Sequence, residues 1–413
     1  MSILCVCDCS ARWPHILQFL LVMRRHRMLL CPPLLVATFL WHLPFIFAFN
    51  WSRDVHARKN DPSTLHVATC RSTCAATRLL STPVSVTTTA SSTADALIDA
   101  IDRMDLSPND DVRRIFHGRG GCYPGYEHLT LDFFPPVLLL TSFKNITNED
   151  LTKWSDAIDA RWKECFSTED DGAMNQDTGM NLVYQCRATT PTTTLLHSGA
   201  LPEGQHIVKE NGDQYLVHLL KGQNHGLFLD MANGRTWVRE NAKGERVLNL
   251  FAYTCAFSIS ALNNGGAAEV VNCDMANGAI QIGQRNHELN GLKSARFLSH
   301  NIMKSWGKLK KLGPDGYGLI IVDPPSYQKG SFIARKDYAK IIRRLPTLLR
   351  PGGRTLLCLN APELDTHFLK SLVESHAPEL QFVERLENPD TFPALDQERS
   401  LKVLLYELSC PVQ

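Results

Sequence analysis

Asp323 stands at the end of four uninterrupted aliphatic residues, Leu319 to Val322, and is followed at once by Pro324, Pro325, Ser326 and Tyr327. An apolar run of this kind reads as a strand buried on both faces, as in a parallel sheet. The prolines have no N–H for a ladder and fix φ at about −65°, so the chain must leave the sheet rigidly there. A carboxylate, a stiff turn and an aromatic ring therefore meet at the carboxyl end of a strand, the edge at which open α/β sheets bind ligands. The chemistry open to Asp323, Pro324, Pro325 and Tyr327 is to hold and align a bound group. An ordinary strand end closed by a proline turn is the plainer alternative.

Asp274 has the same kind of address. It follows the apolar run in VVNCDMANGA and lies about twenty residues beyond the loop LNLFAYTCAFS at 248–258, the spacing at which an acid meets a ribose. That loop lacks the G-x-G-x-x-G of a dinucleotide site, and Cys255 and Ala256 stand where a pyrophosphate needs bare backbone, which disfavours a nicotinamide enzyme. S-adenosylmethionine has no phosphate and demands less of glycine. A carboxylate at 274 can accept both ribose hydroxyls, each bond contributing roughly 1.5 to 3 kcal/mol when shielded, or can cap a helix from Ala276. Met275 would lie against the adenine, and Asn301 and Ile302 in HNIMKSW would meet its edge and face.

Two other stretches carry charge suited to an anionic partner. Ile115 to Tyr126, IFHGRGGCYPGY, exposes backbone and offers His117, Arg119 and Tyr126 to a phosphate or a base, unless it is only a tight connection into a strand at Val137 to Thr141. Cys122 within it has no visible base partner to make it a nucleophile. Lys329 to Arg354 is strongly basic beside the expected mouth, and Lys340, Arg343 and Arg344 are candidates for gripping RNA, with a solvated helix face as the alternative.

These groups need a scaffold. From Arg246 onward strands at 247–251, 269–273, 295–298, 319–322 and 355–359 alternate with helices at 257–262, 276–290 and 338–349, which implies βαβ units and a parallel sheet. Late strands at 382–386 and 402–407 would complete it, one antiparallel at an edge. Before it, helices at 94–104, capped by Thr93, and at 151–166 flank β-type runs at 182–187 and 205–220, the latter turning at Asn211-Gly212. The fold class is α/β: a Rossmann-like domain at 236–413, mostly parallel with helices on both faces, preceded by a smaller α+β, β-rich and substrate-facing region at 95–235.

Residues 1–94 read as a targeting segment. They hold nine Arg or Lys against three acids, a net of +6 that leaves −5 for the rest of a chain totalling +1, so the globular part is not basic. Residues 28–49 are apolar but broken by Pro32, Pro33 and Pro44, and 51–93 are rich in Ser and Thr with few acids. The pair resembles a two-part plastid presequence, favoured over a mitochondrial one; an anchor at 28–49 is the alternative. No stable membrane insertion is expected once the presequence is gone. Cys5, Cys7 and Cys9 fall in this segment. The remaining cysteines form no CxxC pair, so neither disulfides nor a metal site is expected.

Asp230-Met231 with Gly234-Arg235, then NLFAYTCAFS, VNCDMANGA, HNIMKSWG and IIVDPPSYQKGSF, resemble in order and spacing the bacterial class I methyltransferases grouped with the large-subunit rRNA cytosine-C5 and guanine-N7 enzymes. The likeness runs from about Ile115 to Glu407. It implies S-adenosylmethionine as donor, an RNA-facing N-terminal region, and a donor pocket lined by Phe251, Tyr253, Thr254, Asp274, Asn301 and Asp323. Three positions depart from the pattern. Cys255-Ala256 replace a glycine pair, Asn301 replaces an acid, and Ala361 occupies the place of the cysteine that cytosine-C5 chemistry needs, with Cys358 inside a strand. The expected function is methylation of a base in organellar large-subunit rRNA. A methyltransferase of small molecules or proteins, and a non-catalytic RNA-binding or ribosome-assembly protein, are the alternatives.

Overall fold

The computed structural model describes residues 95–166, 179–328 and 332–410, so the expectations for 1–94, for most of the acidic loop at 167–180 and for Lys329 lie outside the described residues. The described residues belong to one compact unit.

The N-terminal part is a five-stranded sheet. Helix α1 (Ala96–Asp102) is capped not by Thr93 but by Asp95, whose carboxylate accepts from the amides of Leu97 and Ile98 and also from Lys153 and Trp154. Leu97 and Ile101 pack on Trp154, Ile158 and Trp162 of α2 (Asn148–Phe166), residues four apart that share one helix face. Where the sequence suggests only a loop running to Val137, the chain forms β1 (Arg113–His117), a glycine-rich turn, and β2 (Leu129–Phe134), antiparallel to β3 (Val137–Ser142). Helix α2 then crosses over to β4 (Leu182–Cys186), parallel to β3, and β5 (Thr193–Ser198) forms the far edge.

A separate hairpin, β6 (His206–Glu210) and β7 (Asp213–Val217), turns at Asn211 and Gly212, both left-handed as the sequence predicts. Helix α3 (Ala232–Asn241) leads into a seven-stranded sheet built from β8 (Arg246–Leu250), β9 (Glu269–Asp274), β10 (Ala295–Ser299) and β11 (Tyr317–Val322). A short hairpin, β12 (Tyr327–Gln328) and β13 (Phe332–Ile333), follows, and β14 (Leu349–Leu359), β15 (Leu380–Leu386) and β16 (Lys402–Leu408) complete the sheet. Its order is β10-β9-β8-β11-β14-β16-β15. The antiparallel strand is β16, and it lies not at the edge but between β14 and β15. Alternation decides the layers: Val247, Leu319 and Ile321 face α3 and α4 (Ala256–Leu262), while Leu248, Leu250, Ile320 and Val322 face the opposite core. That second layer contains α6 (Trp306–Leu312), α7 (Ala334–Ile342), α8 (Leu345–Leu348) and α9 (Thr366–His376), whereas α5 (Asn277–Leu289) packs on β10 and the hairpin. The single helix expected at 338–349 is two, because Pro346 has no N–H to bond the carbonyl of Ile342, where α7 ends, and sits instead in the first turn of α8.

Candidate active site

The tips of β10, β9, β8 and β11 stand side by side and bring Asn301, Asp274, the loop 251–255 and Asp323 into one row. Phe251, Tyr253 and Cys255 all have left-handed backbone, with φ of 58°, 48° and 64°. Three such non-glycine residues in five are costly unless their surroundings enforce them. The surroundings do. The Asp274 carboxylate accepts from the Tyr253 amide at 2.9 Å with one oxygen and from the Ala276 amide at 2.8 Å with the other. Each oxygen keeps a further lone pair, so Asp274 sets the loop and still has capacity for ribose hydroxyls.

The other donor-pocket candidates divide by where their side chains go. Thr254 donates to the Gly226 carbonyl at 2.6 Å, and Cys255 is fully buried over Gly283, so both face the interior and can offer a ligand only backbone. Burial pushes the Cys255 thiol well above its ordinary pKa, which removes it as a nucleophile. The Phe251 ring packs edge-on to Phe332, and the Tyr253 ring lies 5.3 Å from Phe228. Met275 is exposed at the tip of β9, Ile302 is buried, and the Asn301 side-chain oxygen already accepts from the Met303 amide at 2.9 Å.

Asp323 sits in a recess: part of its surface is open, yet packed atoms strip it of bulk water. Burial first, and then the charge of Asp230, raise its carboxyl to about 7, with Arg235 opposing. Pro324 is buried and Pro325 exposed; Ser326 Oγ donates to the Asn360 carbonyl at the tip of β14, and Tyr338 braces the turn from below through the Val322 and Cys358 carbonyls. Tyr327 pairs through its backbone with Ile333, and its side chain lies outside the described residues. Ala361 is buried, and so is Cys358, whose thiol burial pushes up.

Beside Asp323 opens a cleft of about 630 Å³ between the five-stranded sheet and the segment joining β15 to β16. Arg114 holds both oxygens of Asp132, at 2.7 and 3.0 Å, stacks on Phe392 and donates to His117 Nδ1. The ring nitrogen must accept there, and burial with the charges of Arg114 and Arg119 drives His117 down to about 3. Arg119 and Asn360 line the cleft, as does Asp230, whose carboxyl burial raises. Lys340, Arg343 and Arg344 do not. They stand on or just after α7, where Lys340 pairs with Asp337 of the first turn and Arg343 meets His376 near the end of α9, and none of the three is among the residues that line the cleft.

Several contributors have little signal in the sequence. Arg235 forms a buried pair with Glu210 at 2.5 and 2.6 Å and donates to the Phe228 carbonyl, fixing the segment that bears Asp230. The Lys402 ammonium, fully buried, donates to the carbonyls of Ala361, Glu398 and Ser400 and so ties the cleft wall to the tip of β14. Only the Asp230 to Arg235 motif was visible in advance. A recess of about 480 Å³ at the opposite edge of the sheet is lined by Arg246, Glu269, Glu245 and Arg350, which pair with one another far from this chemistry. Among the described residues there is no cluster able to hold a metal and no helix long and apolar enough to cross a membrane.

Residues 113–407 match the model of a family described as S-adenosylmethionine-dependent methyltransferase. The chain belongs to that family. Ribosomal RNA large subunit methyltransferase I of Aeromonas salmonicida (strain A449) is 31% identical to it over 238 residues, 55% of this chain and 56% of the relative. The enzyme of that name from Enterobacter sp. (strain 638) is 28% identical over 295 residues, 69% and 71% of the two chains. The chain thus spans little more than half of the first relative's length. The methyltransferase fold also appears in a solved Streptococcus mutans structure described as SAM-dependent, with TM-score 0.61 and 23% identity over 76% of this chain and 81% of that one. A further structure, complexed with SAH, gives 0.61 and 24% over 73% and 76%. S-adenosylmethionine is the methyl donor by which the family is described, and Asp274 keeps lone pairs able to accept from ribose hydroxyls.

Proposed function

We propose that this methyltransferase modifies a base of large-subunit ribosomal RNA. The observation that carries the reading is the cleft beside the Asp323 turn, where arginines and aromatic rings line a cavity that reaches Asp230 and, at the tip of β14, Asn360. Flat bases stack on such rings and phosphates pair with such cations. The names of its relatives support the same substrate. In this reading Asp274 holds the donor's ribose, Tyr253 and Met275 flank it, and Phe251, Thr254, Cys255, Asn301 and Ile302 shape the pocket. Asp323 and the Pro324 carbonyl accept hydrogens of the group to be methylated, and S-adenosylmethionine supplies the methyl. Alignment of this kind can lower a barrier by roughly 7 to 11 kcal/mol without an acid or base of special strength.

No described cysteine lines the cleft, which favours direct transfer over a thiolate adduct. The composition of residues 1–94 supports action in an organelle, a plastid before a mitochondrion. Mass mapping of rRNA modifications with and without the protein tests the reading. One base is expected to lose its methyl group when the protein is absent; an unchanged map, with labelled methyl passing instead to metabolites or proteins, overturns it. Failure of the protein to bind S-adenosylmethionine saturably would leave only a non-catalytic RNA-binding role.

A further inference from the structure

Two guanidinium groups of the cleft stand apart from the rest. Arg114 is neutralised by Asp132, and Arg119, Arg187 and Arg399 make no ion pair among the described residues; what sets Arg119 and Arg187 apart is a shared aromatic ring. Both rest on one ring, Arg119 at 4.0 Å and Arg187 at 5.4 Å from the Phe143 centroid. They arrive from distant parts of the chain: Arg119 from the turn after β1, Phe143 from the end of β3, and Arg187 from just beyond β4. Arg187 is aimed by the Gln185 side-chain oxygen at 2.6 Å and by the Gln223 carbonyl. Arg119 is exposed and Arg187 half-buried; the atoms packed around them, and after that the neighbouring arginines, work against both cations, while Asp230 offsets part of this at Arg119 and Asp132 part of it at Arg187. Cations gathered on one ring and not directly paired are relieved by an anion, and stacking leaves the in-plane N–H groups of Arg119, and those of Arg187 that Gln185 and Gln223 do not take, free for its oxygens.

The geometry points to a phosphodiester clamp: Arg119 and Arg187, backed by Phe143, grip the RNA backbone beside the target nucleotide, and the nucleotide itself lies deeper, against Asp230 and Asn360 at the Asp323 turn. This rests on the RNA reading above and adds the strand state. A recess of about 630 Å³ has the size of a small-molecule pocket. It therefore admits a nucleotide that is unpaired or swung out of its stack, not a closed duplex. Leu395 fits the same picture. It is 77% exposed at the rim of the cleft, and its amide is held by the Gly120 carbonyl at 2.9 Å, which places an apolar wedge where a vacated stacking position would need filling.

The test compares a labelled single-stranded RNA oligonucleotide with the same sequence as a duplex, titrated at several salt concentrations, with S-adenosylmethionine binding followed in parallel. Wild type is expected to prefer the single strand. The variant Arg119→Glu with Arg187→Glu should lose about 10- to 100-fold in single-strand affinity and about 1.4 in salt slope, 0.7 for each phosphate contact. Its S-adenosylmethionine affinity should be unchanged, which shows the fold intact. Arg119→Lys with Arg187→Lys should keep the slope and lose part of the affinity, because an ammonium neither forks nor stacks like a guanidinium. If wild type binds RNA and the glutamate variant binds equally well with an equal slope, the clamp is wrong; if wild type binds no RNA, the RNA reading itself falls.

Discussion

Burial and the charge of Asp230 hold the Asp323 carboxyl at about 7, against an ordinary carboxylate value of 3.8. Between those values the folded chain binds a proton that the unfolded chain has released, so the contribution of Asp323 to stability is greatest near pH 4 and falls as pH rises through 7. Asp323→Asn removes that dependence. The variant should melt above wild type at pH 8 and level with it near pH 4, as thermal unfolding in matched buffers would show; equal melting at both values would mean that the carboxyl is not strained. The ionised form accepts hydrogens more strongly and with both oxygens, so wild-type methyl transfer should climb with pH through about 7. Asp323→Ala should cost on the order of 100-fold in kcat, the scale of losing alignment by an ångström, with donor affinity retained in direct titration.

The loop after β8 works as an element because a helix behind it makes room. Gly283 of α5 lies so close to the Cys255 sulfur that a Cβ there would overlap it. Gly283→Ala should therefore destabilise by about 1 to 3 kcal/mol and weaken donor binding, since the left-handed backbone at 253 and 255 must shift. Adding Cys255→Gly should restore both, because glycine frees the space and takes a φ of 64° without strain. Calorimetric titration of the four proteins of this cycle checks the coupling, and independent effects would refute it. The sequence shows why a cysteine here looked like a missing glycine: the type at 255 is legible, but the compensating glycine 28 residues on is recognised only once α5 is packed against the loop. The tip of β11 was legible, by contrast, because a doubly buried strand is written as an unbroken apolar run that ends on a polar residue, and the tip of β9 because its acid follows a mostly apolar stretch that only Asn272 interrupts. Strands β1 and β2 were not, since His117 and the glycines that follow obscure the boundary between strand and turn. The clamp residues Phe143 and Arg187 were hidden for a similar reason: register between β3 and β4 brings them together, and no local spacing records it.

At the scale of the whole molecule, the sheet that bears the cleft and the sheet that bears the carboxylates share a core. Phe134 and Val137 of the first, Tyr215 of the hairpin, Ile259 of α4 and Phe392 of the cleft wall belong to one apolar cluster. The buried pair of Arg235 and Glu210 joins the hairpin to α3 within that region, with side chains only 3% and 7% exposed. Arg235→Ala leaves the Glu210 charge buried and unanswered, a loss of about 3 to 5 kcal/mol. Urea unfolding should show it as a lower midpoint, whereas a change below 1 kcal/mol would mean that the pair is dispensable.

Strand β16 is threaded between β14 and β15 although both precede it in the chain. During synthesis neither neighbour can find its partner until residues 402–408 have left the ribosome, so β14 waits with an open flank of apolar residues. From the synthesis of β14 until residues 402–408 follow, the nascent protein therefore carries a sticky, incomplete surface, and it is there that a chaperone would have most to shield.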